Sequence, residues 1–251
     1  MKKQPSPSGN NELRRPAWRR LRFWISALFN LVIFSAISAA MLLLYLKTQA
    51  LPAVSAGQTS QILDMEGNLI DTFHDDENSQ YIELERISPH LVNATLAIED
   101  RRFYRHPGID PQGLARAILV NIKNLDKVEG GSTVTQQLAR NLFLSHERTW
   151  VRKAKEALYT IQLEMNYTKD EILELYLNKI YYGHGAYGAE AAAQLYYHKS
   201  AEDLTLAESA MLAGVPKGPK YYSPYMNMKK AKDRQKTVLQ AMVDSGMITQ
   251  A

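Results

Sequence analysis

The chain has no cysteine. That excludes disulfide frameworks, thiolate zinc sites and cysteine nucleophiles together. No GK[ST] loop occurs, so a P-loop nucleotidase is ruled out. No serine has lysine three positions on and Lys-Thr-Gly is missing, which removes one serine acyl-transfer apparatus. No His/Asp/Glu set has the spacing of a standard metal cage. The body also lacks the positive excess that a pI of about 9.0 implies. Residues 1–22 hold Lys2, Lys3, Arg14, Arg15, Arg19, Arg20 and Arg22 against Glu12 alone, and the remainder is slightly acidic. The basicity belongs to a tail, so a nucleic-acid partner is not expected. With 251 residues, 45% hydrophobic and 22% charged, the chain fits one ordinary domain with an accessory segment.

What is present begins with an uncharged run from Phe23 to Leu46, FWISALFNLVIFSAISAAMLLLYL. At the helical rise it reaches about 36 Å, enough to cross a hydrocarbon core of about 30 Å. The basic residues before it predict a cytoplasmic N-terminus and a body outside. The run then acts as a single-pass signal-anchor. A cleavable signal peptide is the competing reading, with cleavage in the Ala-rich stretches 36–40 or 50–56.

Residues 47–60 have a linker composition. QILDMEGNLIDTF reads as a hairpin and YIELERI as a third short strand, so 47–86 is linker and short β strands. From Ser88 the punctuation is helical. Ser88-Pro89 and Asp110-Pro111 each open a helix, Ser132 or Thr133 caps another, and Thr168/Glu171 and Thr205/Glu208 form capping boxes. The expectation is a mainly α domain over 87–251 with a small β element, after a basic tail (1–22) and a transmembrane helix (23–46).

Three polar groups stand out. In EDRRFYRHPG, Glu99 extends the apolar stripe Val92, Thr95, Leu96 and so points toward the body, where a half-buried carboxylate can act as a general base. The alternative is a solvated, salt-bridged helix end, and His106 alone reads as a core or surface histidine. In GGSTVTQQLARN, paired glycines before a helix start offer backbone N–H groups to an anion, or simply make a turn and cap. Gln136 and Gln137 lie on its first turns, with Arg140 one turn beyond. In the third group, Arg148, Arg152 and Lys155 make a cationic stripe beside Lys153 and Glu156. It is either a solvated face or a diphosphate clamp.

In order, EDRRFYRHPGID, GGSTVTQQLARN, RKAKEALYTIQLE, KDEILELYLNKIYYGHGAYGAEAAA and LTLAESAMLAGVPKGPKYYSP closely resemble the peptidoglycan glycosyltransferase domain (glycosyltransferase family 51). That domain occurs in class A penicillin-binding proteins and monofunctional glycosyltransferases. The match runs from about residue 83 to 224. The resemblance implies a lysozyme-like fold that polymerises lipid II outside a bacterial cell, releasing undecaprenyl pyrophosphate with inversion. It makes Glu99 the catalytic base and Glu156 the second glutamate, which assists the pyrophosphate directly or through a divalent cation such as Mg or Mn. It places Arg140, Arg148, Arg152 and Lys155 on the phosphates and Ser132, Thr133, Gln136 and Gln137 along the cleft. No other cofactor is implied. The partners implied are lipid II, the growing glycan strand, the cytoplasmic membrane and other cell-wall synthesis proteins.

Two features remain open at this level. The helix ARAILVNIKNLDKV is either core-facing or bilayer-facing, since its apolar spacing serves both. No transpeptidase module is expected within the chain, although its C-terminal helix resembles the one that continues toward such a module in bifunctional members. A lytic muramidase would need no diphosphate clamp, and an inactive scaffold would need neither glutamate.

Overall fold

The computed structural model describes residues 17–52, 60–63, 69–73, 78–124, 130–145, 147 and 149–249. Residues 1–50 and 51–251 form two units. Among the described residues, the first holds a single long helix, α1 (Ala17–Thr48). Trp24, Leu28, Phe34 and Leu44 on it are all more than 60% exposed. Its segment Arg22–Thr48 is long and apolar enough to cross a membrane. A soluble helix hides one apolar stripe. This one is apolar all round, as a bilayer requires.

In the second unit, β1 (Ser60–Leu63) and β2 (Leu69–Phe73) pair antiparallel, with Ser60 opposite Phe73 and Gln61 opposite Thr72. This is the expected hairpin. A second, three-stranded sheet joins β3 (Asn78–Ser79), β4 (Tyr181–Gly183) and β5 (Ala186–Tyr187) in the order β3–β5–β4. YIELERI, expected as a strand, is not one. The side-chain amide of Asn178 takes the place of a neighbouring strand, accepting from the Ile82 N–H and donating to the Ile82 carbonyl, both at 2.8 Å. Glu174 accepts the Leu84 N–H at 2.7 Å, and Leu84–Arg86 tightens into a 3-10 turn.

Nine helices are described in this unit: α2 (Pro89–Glu99), α3 (Pro111–Asn124), α4 (Val134–Phe143), α5 (Trp150–Asn166), α6 (Lys169–Lys179), α7 (Ala189–Tyr197), α8 (Leu206–Gly214), α9 (Pro219–Tyr222) and α10 (Met228–Asp244). Reciprocal capping boxes start three of them: Thr133 with Gln136, Thr168 with Glu171, and Thr205 with Glu208. Ser88 sits at the N-cap of α2, but its hydroxyl donates to the Leu204 carbonyl at 2.8 Å and ties two elements together instead.

The core gathers on α8, whose residues Ser209 to Gly214 are all buried and mostly small. Small side chains let α2 and α10 pack closely on either side of it. A second layer of α4, α5 and α6 contributes Leu138, Leu163, Ile172, Leu173 and Leu177, all fully buried. Each such side chain contributes about 1.5–3 kcal/mol. α3 resolves the question its spacing left open. Leu114, Ile118, Leu119 and Ile122 are exposed while Ala117 is buried, so its large apolar side chains do not face the core.

Candidate active site

Glu99 is the last residue of α2 and is half-buried, its side chain 16% exposed. Gln137 of α4 donates its amide to Glu99 Oε2 at 2.7 Å. The same amide's oxygen lies 3.4 Å from the Tyr176 hydroxyl of α6, which donates to it. On the other side, Arg234 Nη2 of α10 stands 3.9 Å from Glu99 Oε1. Tyr176 and Tyr182 are buried nearby. Burial first, then the charge of Glu99, pushes both phenols above their ordinary value, so they stay neutral and add no competing charge.

The next residue explains how α4 is held there. Both carboxylate oxygens of Asp100 lie against His106 Nε2, at 2.9 and 3.0 Å, and Oδ2 also accepts the Val134 N–H at 3.0 Å. Asp110 accepts the Gln112 N–H at the start of α3. Asp100, His106 and Asp110 lie close together, and both carboxylates are engaged by helix starts. His106 is thus a core histidine. Thr133 donates to the Gly108 carbonyl at 2.5 Å. Gly108 has φ +87°, and a Cβ there would lie 2.7 Å from Thr160 Cγ2, so only glycine fits.

At the far side of the α4 start lies Glu156, completely buried on α5. Arg152 Nη1 reaches its Oε2 at 2.6 Å, and Lys153 pairs with its Oε1. Lys153 Nζ also approaches Ser132 Oγ at 3.5 Å. One short segment, residues 132–137, therefore touches Glu99 at one end and the Glu156 cluster at the other.

The structure sorts the residues singled out from the sequence. Gln137 meets Glu99, Ser132 meets the cluster, and Arg152 binds Glu156. Thr133 and Gln136 are buried in the capping box, where Gln136 Oε1 accepts the Thr133 N–H at 3.1 Å. They shape the helix start and do not line an open cleft. Arg140 is half-buried, and its charge opposes the upward push on Tyr176. Lys155 is exposed on α5, and Arg148 lies outside the described residues. Lys153 was named beside the cationic stripe but given no role, and Tyr176 and Arg234 were not singled out. Lys153 stands one helical turn before Glu156, a spacing visible in the sequence. Arg234 gives no such local signal.

A divalent ion at Glu156 does not fit this arrangement. Each carboxylate oxygen already meets a cationic side chain, and no cluster of three acidic or imidazole ligands includes Glu156 among the described residues.

Comparison with known proteins first gives a class. Residues 66–243 match the family model described as Transglycosylase. The chain belongs to the transglycosylase family, and its N-terminal helix is long and apolar enough to cross a membrane. It is 48% identical over 239 residues to penicillin-binding protein 2D of Bacillus subtilis, covering 92% of this chain and 35% of that protein. It is 48% identical over 190 residues to penicillin-binding protein 1A of Escherichia coli, covering 76% and 22% respectively. A crystal structure of penicillin-binding protein 1A from Haemophilus influenzae overlaps 79% of this chain and 20% of its own, at 26% identity and a TM-score of 0.42. The chain thus spans about a third or less of the length of these relatives.

Proposed function

We propose that this protein polymerises lipid II into glycan strands at the outer face of the cytoplasmic membrane. Residues 1–22 are the cytoplasmic tail, 23–46 the span, 47–86 the connection with its short strands, and 87–251 the catalytic domain. The observation that carries the reading is the placement of residues 132–137 between Glu99 and the Lys153–Glu156–Arg152 cluster.

Glu99 Oε1 carries no direct hydrogen bond from Gln137, which holds Oε2. That oxygen takes the proton from the 4-hydroxyl of the acceptor N-acetylglucosamine. The acceptor oxygen bonds to the anomeric carbon of the lipid-linked strand from the opposite face. The bond from that carbon to the pyrophosphate oxygen breaks, its electron pair leaving with undecaprenyl pyrophosphate. A diphosphate already leaves well, so what the protein supplies is compensation for the charge on its oxygens. Arg152 and Lys153 give that compensation, with Arg140, Arg148 and Lys155 completing the row. Glu156, buried beneath two of these cations, fixes their direction.

The exposed apolar side chains of α3, with Trp150 at 91% exposure and Val151 at 67%, dip into the outer leaflet from which a lipid-linked substrate arrives. Incubation with labelled lipid II tests the proposal. Lengthening strands, with one undecaprenyl pyrophosphate released per sugar unit joined, are expected. Shortening of preformed strands without that release points to a lytic enzyme instead.

A further inference from the structure

We propose that Arg234, on the last described helix, is a positioning residue for Glu99, and that α10 is thereby part of the catalytic apparatus. The inference rests on the reading of Glu99 as the base.

Arg234 is an unusual residue for its surroundings. Its side chain is only 9% exposed, and long cationic side chains are rarely buried without a partner. Burial pushes the guanidinium below its ordinary value, and Glu99 is the largest influence that opposes this. Yet the two do not form a close bridge. Nη2 stops 3.9 Å from Glu99 Oε1, and Nε has no hydrogen-bond partner among the described residues. The guanidinium lies 5.9 Å from the centroid of the Tyr222 ring, at the edge of a cation–π contact.

The separation has a chemical consequence. A direct, bidentate arginine would occupy the lone pairs of Oε1, and a base needs one of them for the incoming proton. At 3.9 Å the cation attracts the carboxylate and holds Oε1 in direction without occupying its lone pairs. Tyr176 of α6 and Tyr182 of β4 are buried and neutral, Gln137 of α4 is uncharged, Asp100 beside Glu99 is itself acidic, and α8's one carboxylate, Glu208, pairs with Lys199. Arg140 bears on Tyr176 from the next turn of α4. Among the described residues, Arg234 is the cation paired with Glu99.

Gly214, the last residue of α8, makes the approach possible. A Cβ there would stand 2.8 Å from Arg234 Cγ, in the middle of the arginine stem and not at its movable end. The arginine threads past bare backbone to reach Glu99. A second contact of the same length, Arg101 Nη2 to Asp244 Oδ2 at 3.9 Å, also ties α10 to the segment that follows Glu99.

The test is steady-state polymerisation by the full chain carrying Arg234→Gln, Arg234→Lys or Gly214→Ala, with thermal unfolding checked for each. Arg234→Gln is expected to lower kcat about 10–100-fold with KM within about twofold, less than the loss of the base itself. Arg234→Lys keeps the charge and is expected to recover most of that loss, whereas a role in packing alone predicts an equal loss in both. Gly214→Ala, which leaves the charge in place but displaces it, is expected to lower kcat with KM unchanged, and it carries the test if Arg234→Gln does not fold. Unchanged kcat in a folded Arg234→Gln or Gly214→Ala, a rise in KM alone, or an equally deep loss with lysine overturns the proposal. An inactive wild type, or an active Glu99→Gln, instead strikes at the reading of Glu99.

Discussion

Glu99 reaches its place through its neighbours in sequence. The stripe Val92, Thr95, Leu96 turns that face of α2 inward, and the helix ends at Glu99, leaving its carboxylate half-buried. This much was legible, because helical periodicity fixes direction. The partners were less so. Gln137 belonged to a conspicuous pair, but only the capping geometry shows that Gln136 closes the box while Gln137 turns to Glu99. Tyr176 and Arg234 come from α6 and α10, and contacts set by tertiary packing leave no local pattern. Asp100 was read only as part of a charged cluster, and is structural. Asp100→Ala removes the acceptor for two buried donors, His106 Nε2 and the Val134 N–H. Each donor left unpaired costs about 1–3 kcal/mol, so a loss of about 2–6 kcal/mol is expected in urea unfolding. A loss under about 0.5 kcal/mol would mean the dyad does not hold the start of α4.

At the scale of elements, most boundaries announced themselves. The Thr168/Glu171 and Thr205/Glu208 boxes and the Pro-started helices fall where the sequence puts them, and of the two caps offered for α4 it is Thr133 that closes a box, with Gln136, since capping chemistry is local. YIELERI failed because its backbone partners are side chains of α6, a pairing that no strand pattern encodes. The box at α6 makes a pH prediction. The backbone N–H of Thr168, then its hydroxyl, holds the Glu171 carboxyl below its ordinary value of 4.5. A depressed carboxyl adds stability above its unfolded value and loses it as pH falls through the folded one. Stability should therefore fall below about pH 4.5, and Glu171→Gln should shrink that fall. An unchanged pH dependence in the variant would contradict this. For α3, changing exposed Leu119 and Ile122 to serine should shift stability by no more than about 0.5 kcal/mol per site. Polymerisation of lipid II in vesicles should nevertheless drop by about tenfold, for loss of apolar area that meets the bilayer. An equal drop with a short-chain, water-soluble substrate would assign α3 another role. In the core, Leu177→Ala should cost about 2–5 kcal/mol by thermal or urea unfolding.

For the whole molecule, the broad class was the most legible level. An apolar span behind a basic tail, a helical body and five ordered motifs placed the chain before any geometry was known. The family match over residues 66–243 agrees. What the sequence did not convey is how the two glutamates are linked. Glu99 and Glu156 lie on different helices, and the start of α4 bridges them, its Gln137 on one and Ser132, through Lys153, on the other. On the proposed function, the base and the diphosphate-receiving cations meet at one helix start, and a reaction that needs both at once depends on that start keeping them in register. The most direct test of this account is the rate of strand formation from lipid II by the full chain with Glu99→Gln, which keeps the size of the side chain and removes its capacity to take a proton. The account predicts a loss of about 10²–10⁴-fold in a protein that unfolds at the wild-type temperature. A folded variant that still builds strands within a few-fold of the wild-type rate would contradict it.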